Sequence, residues 1–154
     1  MLPSTTERVL NATDAELNER IRKETEANVA RHSGSRADIQ RRLDELDREW
    51  DIERTLEANA ASVSLIGIAL SVTVSRRFLL LPAAVAGFLL QHALQGWCPP
   101  LPLFRRLGIR TQAEIEEERH ALKALRGDYA DVPRVEAGSP RESDSARAIE
   151  AAKR

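Results

Sequence analysis

The residues with chemistry to offer crowd into one stretch. Gln91, His92, Gln95, Trp97 and Cys98 follow one another at the end of a long apolar run. Polar groups at the end of an apolar run suit an interfacial or helix-packing role, where headgroups and water satisfy them, or a ligand or proton-relay role. His92 has no carboxylate beside it in sequence and no second His at helical spacing, so no metal site is expected. Cys98 is the sole cysteine, which excludes an intramolecular disulfide and a cysteine-rich metal centre. Three roles remain for it: an inert packing thiol, a redox, persulfide or mixed-disulfide group, and haem ligation through Cys98-Pro99. That dipeptide is too short to specify haem. His120 and Glu116 lie one helical turn apart on a charged face and read as an ordinary ion pair. The chain carries no His-Glu-x-x-His, no phosphate-cradling glycine loop and no nucleophile elbow. No catalytic, cofactor-binding or metal-ligating residue is assigned, and Cys98 stands as the one candidate functional thiol of a chain not expected to be an enzyme.

What must position these residues is an apolar core of the sequence. Ala58 to Ser75 holds no charged residue, Arg76 and Arg77 interrupt, and Phe78 to Trp97 is again uncharged. Each piece has roughly the 17–25 residues a helix needs to cross the hydrocarbon of a bilayer. The expectation is a two-helix transmembrane hairpin with a very short turn at Ser75-Arg76-Arg77, and Pro82 in or near the first turn of the second helix, where its missing donor costs little. Small residues let helices approach in lipid. Gly67, Ser71 and Ser75 recur every four residues on the first helix, Ala83 and Gly87 do so on the second, and the two stripes are expected to face each other. The serines and threonines of the first helix can bond back to their own carbonyls.

Charged helical arms flank this hairpin. Thr13 and Glu16 have the spacing of a capping box, and the helix they start should end near Gly34. Ser35 and Asp38 start another. In it Ile39, Leu43, Leu46 and Trp50 repeat as a heptad seam, able to dimerise, meet a protein partner, or lie on the membrane with Trp50 as an interfacial anchor. No Gly or Pro interrupts Arg36 to Val74, so this arm is expected to run into the first apolar helix with little or no break. Beyond the hairpin, Pro99, Pro100 and Pro102 should stop the second helix and send the chain off in extended form. Thr111 and Glu114 cap a helix that ends at Gly127, with Glu114, Glu116, Glu117 and Glu118 early and Arg119, Lys123 and Arg126 late, as the helix dipole prefers. Its Ile115, Leu122 and Leu125 form a narrow apolar face suited to the Ile39–Trp50 seam. Asp128 to Gly138 reads as a linker, and Ser139-Pro140 as the start of a short, marginal terminal helix.

Composition sets the outer limits. A net charge of −1 gives no field that would attract nucleic acid. Scarce aromatics outside the apolar spans argue against a large soluble core. The N-terminus lacks a basic region followed by an apolar one, so no cleavable signal is expected and the first apolar span must serve for insertion. Arginines near the span ends set the orientation: Arg41, Arg42, Arg48, Arg54, Arg105, Arg106 and Arg110 flank the hairpin, against Arg76 and Arg77 in its loop. The positive-inside rule then puts both termini in the cytoplasm.

From Gly96 to Thr111 the chain reads Gly-Trp-Cys-Pro-Pro-Leu-Pro-Leu-Phe-Arg-Arg-Leu-Gly-Ile-Arg-Thr. An apolar hairpin followed by Gly-x-Cys-Pro, a short spacer, Leu-Gly-Ile and a Thr resembles the YgaP-like bacterial inner-membrane domain family. The matching positions are Cys98, Pro99, Leu107, Gly108, Ile109 and Thr111, within a likeness covering about Leu56 to Thr111. In the family's best-known architecture the hairpin anchors a rhodanese. Here no second cysteine is left for one, so the resemblance implies a stand-alone member with possible self-association and no inherited sulfur chemistry.

The expected organisation is all-α: a polar helix over 1–34, an amphipathic helix over 35–56, the transmembrane hairpin over 57–98, the Cys-Pro segment and a cytoplasmic helix over 99–127, and a flexible tail with room for one short helix over 128–154. The expected role is a two-pass inner-membrane anchor, adaptor or oligomerising scaffold. Its partners would be the lipid bilayer, another copy of the chain, or a protein on the Ile39, Leu43, Leu46, Trp50 face. The alternative is a redox or sulfur-handling accessory using Cys98.

Overall fold

A computed structural model describes residues 4–130, 132 and 142–153. All regular structure among them is helical. The helices are α1 (Arg8–Asn11), α2 (Ala15–His32), α3 (Arg36–Leu46), α4 (Ile52–Thr73), α5 (Leu80–Gln95), α6 (Leu101–Arg106), α7 (Gln112–Arg126) and α8 (Glu142–Lys153), with a 3-10 turn over Arg76–Leu79. The expected linker falls mostly outside the described residues, as does the Ser139-Pro140 helix start. Two compact units emerge, one of the residues up to Glu24 with Trp50–Ile115, the other of Thr25–Glu49 with the residues from Glu116 on.

The first unit contains the apolar helices. Ile52–Thr73 and Arg76–Gln95 are each long and apolar enough to cross a membrane. Ser75 caps the 3-10 turn between them, its Oγ accepting from the Arg77 amide, and α5 runs back along α4. Ser62, Ser71 and Thr73 donate to the carbonyls of Ala58, Ile68 and Ala69, so their hydroxyls are satisfied within the helix.

The facing of the small-residue stripes requires correction. A Cβ on Gly67 would lie 2.7 Å from Pro82 Cδ and 3.2 Å from Leu81 Cβ, whereas one on Gly87 would meet nothing within 4 Å. Ser71 is buried beside Gly67 on the α4 face, but Ala83 is exposed. The α5 face turned inward passes through Pro82, Val85 and His92, which are at least half-buried. That row lies one residue, about 100° of helical rotation, away from the Ala83–Gly87 row. Small meets large here, with Gly67 making room for the proline ring.

Two boundaries also differ from expectation. The arm does not run through into the apolar helix: α3 ends at Leu46, and α4 starts afresh at Ile52. Asp51 Oδ1 accepts from the Arg54 amide at 2.8 Å, and the Ile52 amide donates to the Arg110 carbonyl at 2.8 Å. A side-chain cap and a long-range backbone bond break the helix without any Gly or Pro. Nor do the prolines lead to an extended chain. Pro100 caps α6 and Pro102 sits in its first turn, where proline's fixed φ suits a helix start. Leu101 is thereby turned inward and fully buried.

The N-terminal lead-in is more structured than its polarity suggests. Val9, on the single turn of α1, joins a core with Ile52, Leu56, Cys98 and Leu101, while Ala12, Phe104 and Ile109 pack around it. Asp14, not Thr13, caps α2: its Oδ1 accepts from the Glu16 amide at 2.8 Å, while Thr13 Oγ1 is spent on the Val9 carbonyl. The box at the other end of the unit is reciprocal. The Thr111 amide donates to Glu114 Oε2 at 2.7 Å, and Glu114's amide donates to Thr111 Oγ1 at 3.2 Å. Glu114 also takes both Nη groups of Arg105, at 2.7 and 2.8 Å. Arg105 has no solvent exposure and further bonds the Ile109 carbonyl and Asn18 Oδ1. Burial pushes the Glu114 carboxyl upward, but Arg105 and the Thr111 amide outweigh it and hold the group below its ordinary value.

In the second unit, Ser35 caps α3 through the Asp38 amide. Ile39, Leu43 and Leu46 are buried, as is Leu122, while Leu125 is exposed. Arg42 clamps the fully buried Glu118 through Nε at 2.7 Å and Nη2 at 3.2 Å, and Arg119 bonds Asp47. Three of the four seam residues are thus buried within the chain. Trp50, its fourth member, belongs to the first unit; it is exposed and stacks under the Arg54 guanidinium at 4.3 Å.

Candidate functional site

The helix ends on the α1 side of the first unit bring three chemistry-bearing residues together. Gly96 makes this possible. It closes α5 with a left-handed φ of +78°, and a Cβ there would lie 2.2 Å from the Arg8 carbonyl oxygen. Only glycine offers both the conformation and the clearance. Because α1 seats on Gly96, Arg8 reaches across to donate through Nη2 to Glu53 Oε1 at 2.8 Å and through Nη1 to the Ala93 carbonyl at 3.4 Å.

Glu53 stands in the first turn of α4, and its second oxygen lies 2.9 Å from His92 Nε2. A carboxylate paired with an arginine can only accept, so Nε2 carries the ring's hydrogen and, in the neutral imidazole, Nδ1 is the bare nitrogen. Nδ1 is buried and has no hydrogen-bond partner. The His92 side chain is 5% exposed. Cys98 follows Gly96 by two residues and is 3% exposed. The arrangement is an imidazole paired with a carboxylate that an arginine holds.

Beside it lies an apolar cleft of about 380 Å³ between α4, α5 and the Cys-Pro segment. Cys98 and Pro99 line one part, and Leu56, Val63, Val85 and Phe88 much of the rest. Asn59 is its one polar side chain besides the thiol.

Sequence reasoning singled out His92 and Cys98 but missed Glu53 and Arg8. The former has a usable signal. At 1.5 Å per α-helical residue and about 2 Å per 3-10 residue, counting out from Ser75 puts Glu53 and His92 at depths within about one helical turn of each other. Arg8 gave none, since its role depends on Gly96. Gln95 and Trp97 are exposed and Gln91 is half-buried, so they stand outside the cluster. Of the other motif positions, Thr111 caps α7, Ile109 packs on the core, Gly108 turns the chain at φ +84°, and Leu107 is exposed. Pro99 lines the cleft. His120 lies 3.9 Å from Glu116 and also bonds the Tyr129 hydroxyl. Among the described residues no group of three His, Cys, Asp or Glu side chains could hold a metal ion.

The chain matches no family model, no curated protein and no solved structure.

Proposed function

We propose that the protein is a two-pass membrane protein of the bacterial inner membrane, its loop at Arg76–Arg77 outside and both termini in the cytoplasm, serving as a non-catalytic anchor or oligomerising scaffold. One observation carries this reading. The two apolar helices leave their large side chains uncovered: Val72 is 84% exposed, Leu80 74% and Leu65 67%, with Ile66 and Leu90 also exposed. The core helix of a water-soluble domain is buried, whereas these spans are mostly not. Contiguous apolar surface of this kind marks a membrane or an interaction face.

The distribution of arginines supports the orientation, and the likeness of Cys98, Pro99, Leu107, Gly108, Ile109 and Thr111 to the YgaP-like motif supports the inner membrane. The Arg8–Glu53–His92 group then lies at the cytoplasmic interface, where ionised groups at helix ends are tolerated. Burial of Cys98 weighs against the sulfur-exchange alternative, because thiol exchange with a partner protein needs access. Alkaline carbonate washing of membranes tests the reading: the protein stays in the pellet if the spans are embedded, and release into the supernatant overturns it.

A further inference from the structure

We propose that the outer face of α6, with Arg20 of α2 at its end, is a docking site for an anionic phospholipid: Arg20 and Arg106 take the headgroup phosphate, and Leu103 and Leu107 enter the acyl region beside the spans. The inference rests on the two-pass reading and adds to it a preference among lipids. The residues of α6 sort by helical angle. Leu101 and Arg105, about 40° apart around the axis, face inward and have no solvent exposure. Leu103, Arg106 and Leu107, spaced i, i+3, i+4, fall on the opposite side. All three are exposed, the two leucines to 58% and 69%.

The depth of this face fits the headgroup layer. Leu101 packs in one core with Ile52 and Leu56, which precede the charge-free run from Ala58 by about 3–9 Å along a helix axis. The polar layer of a bilayer is roughly 5–7 Å deep on each side of the hydrocarbon. An amphipathic helix at that level lays its apolar side chains into the lipid. The charges match as well. Arg20 Nη2 donates to the Arg106 carbonyl at 2.8 Å, which sets a second guanidinium against the end of α6. Glu16 and Glu24, one turn either side of Arg20 on α2, make no ion pair with it, and Arg106 has no carboxylate partner among the described residues. Arg105, by contrast, is spent on Glu114. Two guanidiniums with unused N–H groups suit a phosphate. A free phosphate would leave Leu103 and Leu107 bare, whereas a phospholipid covers both parts of the face. A choline headgroup brings its own cation against the arginines, so the preference is for lipids of net negative charge.

The test uses the full chain reconstituted in vesicles of phosphatidylglycerol and phosphatidylcholine in equal amounts. The vesicles are washed with alkaline carbonate, dissolved in mild detergent and read by native mass spectrometry for retained lipid. The wash keeps two failures apart: release of the protein overturns the two-pass reading and this site with it, whereas retained protein without a lipid preference overturns the site alone. The expected result is phosphatidylglycerol over phosphatidylcholine by roughly thirtyfold, about fivefold from each arginine. Arg106→Gln or Arg20→Gln should each lower the preference to roughly fivefold, and the two together should abolish it. Arg36→Gln, an equal change of charge on α3, should leave it in place. Arg20→Lys, which keeps the charge, should keep most of the preference and so separates charge from the bond to the Arg106 carbonyl. Leu103→Ser with Leu107→Ser should weaken retention of both lipids and preserve their ratio. Far-UV circular dichroism identifies variants that keep their helices. Equal retention of the two lipids by folded wild type overturns the proposal, as does an unchanged preference in the folded double arginine variant. Displacement of the lipid by millimolar glycerol 3-phosphate would also overturn it, because the ligand would then be a free phosphate.

Discussion

Gly67 and Gly87 are both glycines inside apolar helices, and the geometry assigns them opposite behaviour on substitution by alanine. Helix propensity alone favours alanine by roughly 0.8–1 kcal/mol at either site. At Gly87 nothing opposes that gain, because the new methyl meets no atom within 4 Å. At Gly67 the methyl would stand 2.7 Å from Pro82 Cδ and 3.2 and 3.3 Å from two carbons of Leu81. A proline ring cannot swing aside as a long side chain can, so the helices must separate, at the roughly 1–3 kcal/mol typical of overpacking. The balance for Gly67→Ala runs from about zero to a loss of about 2 kcal/mol, against a gain of up to about 1 kcal/mol for Gly87→Ala. For a chain of this size each kcal/mol moves the midpoint by about 2–4 °C. Thermal unfolding in a mild detergent, followed by far-UV circular dichroism, should therefore place Gly67→Ala as much as several degrees below the parent, Gly87→Ala at or above it, and the two at least about 2 °C apart. Equal effects of the two substitutions, or a stabilised Gly67→Ala, would refute the account of how α4 meets α5.

Other expectations test the remaining contacts. Gly96→Ala adds the cost of a left-handed alanine, about 1–2 kcal/mol, to a clash with the Arg8 backbone, so proteolysis should reach α1 in the variant before the rest of the chain. Arg105→Leu should destabilise by about 3–5 kcal/mol, because Glu114 is left buried without its partner; a midpoint close to the parent's would remove Arg105 as the clip of the first unit. Since Glu114 titrates below its ordinary value when folded, its contribution is fully present above the unfolded value of about 4.3 and fades as pH falls through the folded one. Glu114→Gln should flatten that acid limb of the stability curve. In the second unit, Arg42→Ala removes two charge-assisted hydrogen bonds to the fully buried Glu118 and should cost about 1.5–3 kcal/mol, read as faster hydrogen exchange of α7, whereas breaking the exposed Glu19–Arg22 pair of the first unit should leave stability nearly unchanged.

Local features were legible in the sequence where a short span decides them. Ser35–Asp38 and Thr111–Glu114 cap as their spacing implies, because a cap involves only residues three apart. The box expected at Thr13 and Glu16 gives way to a cap by Asp14, because Thr13 Oγ1 is spent on the Val9 carbonyl, which spacing does not show. The break before α4 escaped notice for the same reason in reverse: Asp51 supplies a cap, but the Arg110 carbonyl that takes the Ile52 amide is far along the chain. The proline run was read for its power to end helices, while Pro100 and Pro102 instead start one. The small-residue rows missed by one position, since repetition every four residues gives a row on each helix but not the rotation of one helix against the other. The site divides likewise. His92 and Cys98 announced themselves by type, whereas Glu53 and Arg8 matter only through chain reversal at the loop and the bare backbone of Gly96.

The burial of Cys98 makes it a poor reporter of topology, so the decisive measurement replaces it. In a Cys98→Ala background, single cysteines at Arg76 in the loop and at exposed Ser33 after α2 are challenged with a membrane-impermeant maleimide in intact spheroplasts and again after lysis. The account predicts that the loop cysteine labels in intact spheroplasts and the Ser33→Cys variant only after lysis. Labelling of both variants, of neither, or in the opposite order in intact spheroplasts would contradict a two-pass protein with cytoplasmic ends.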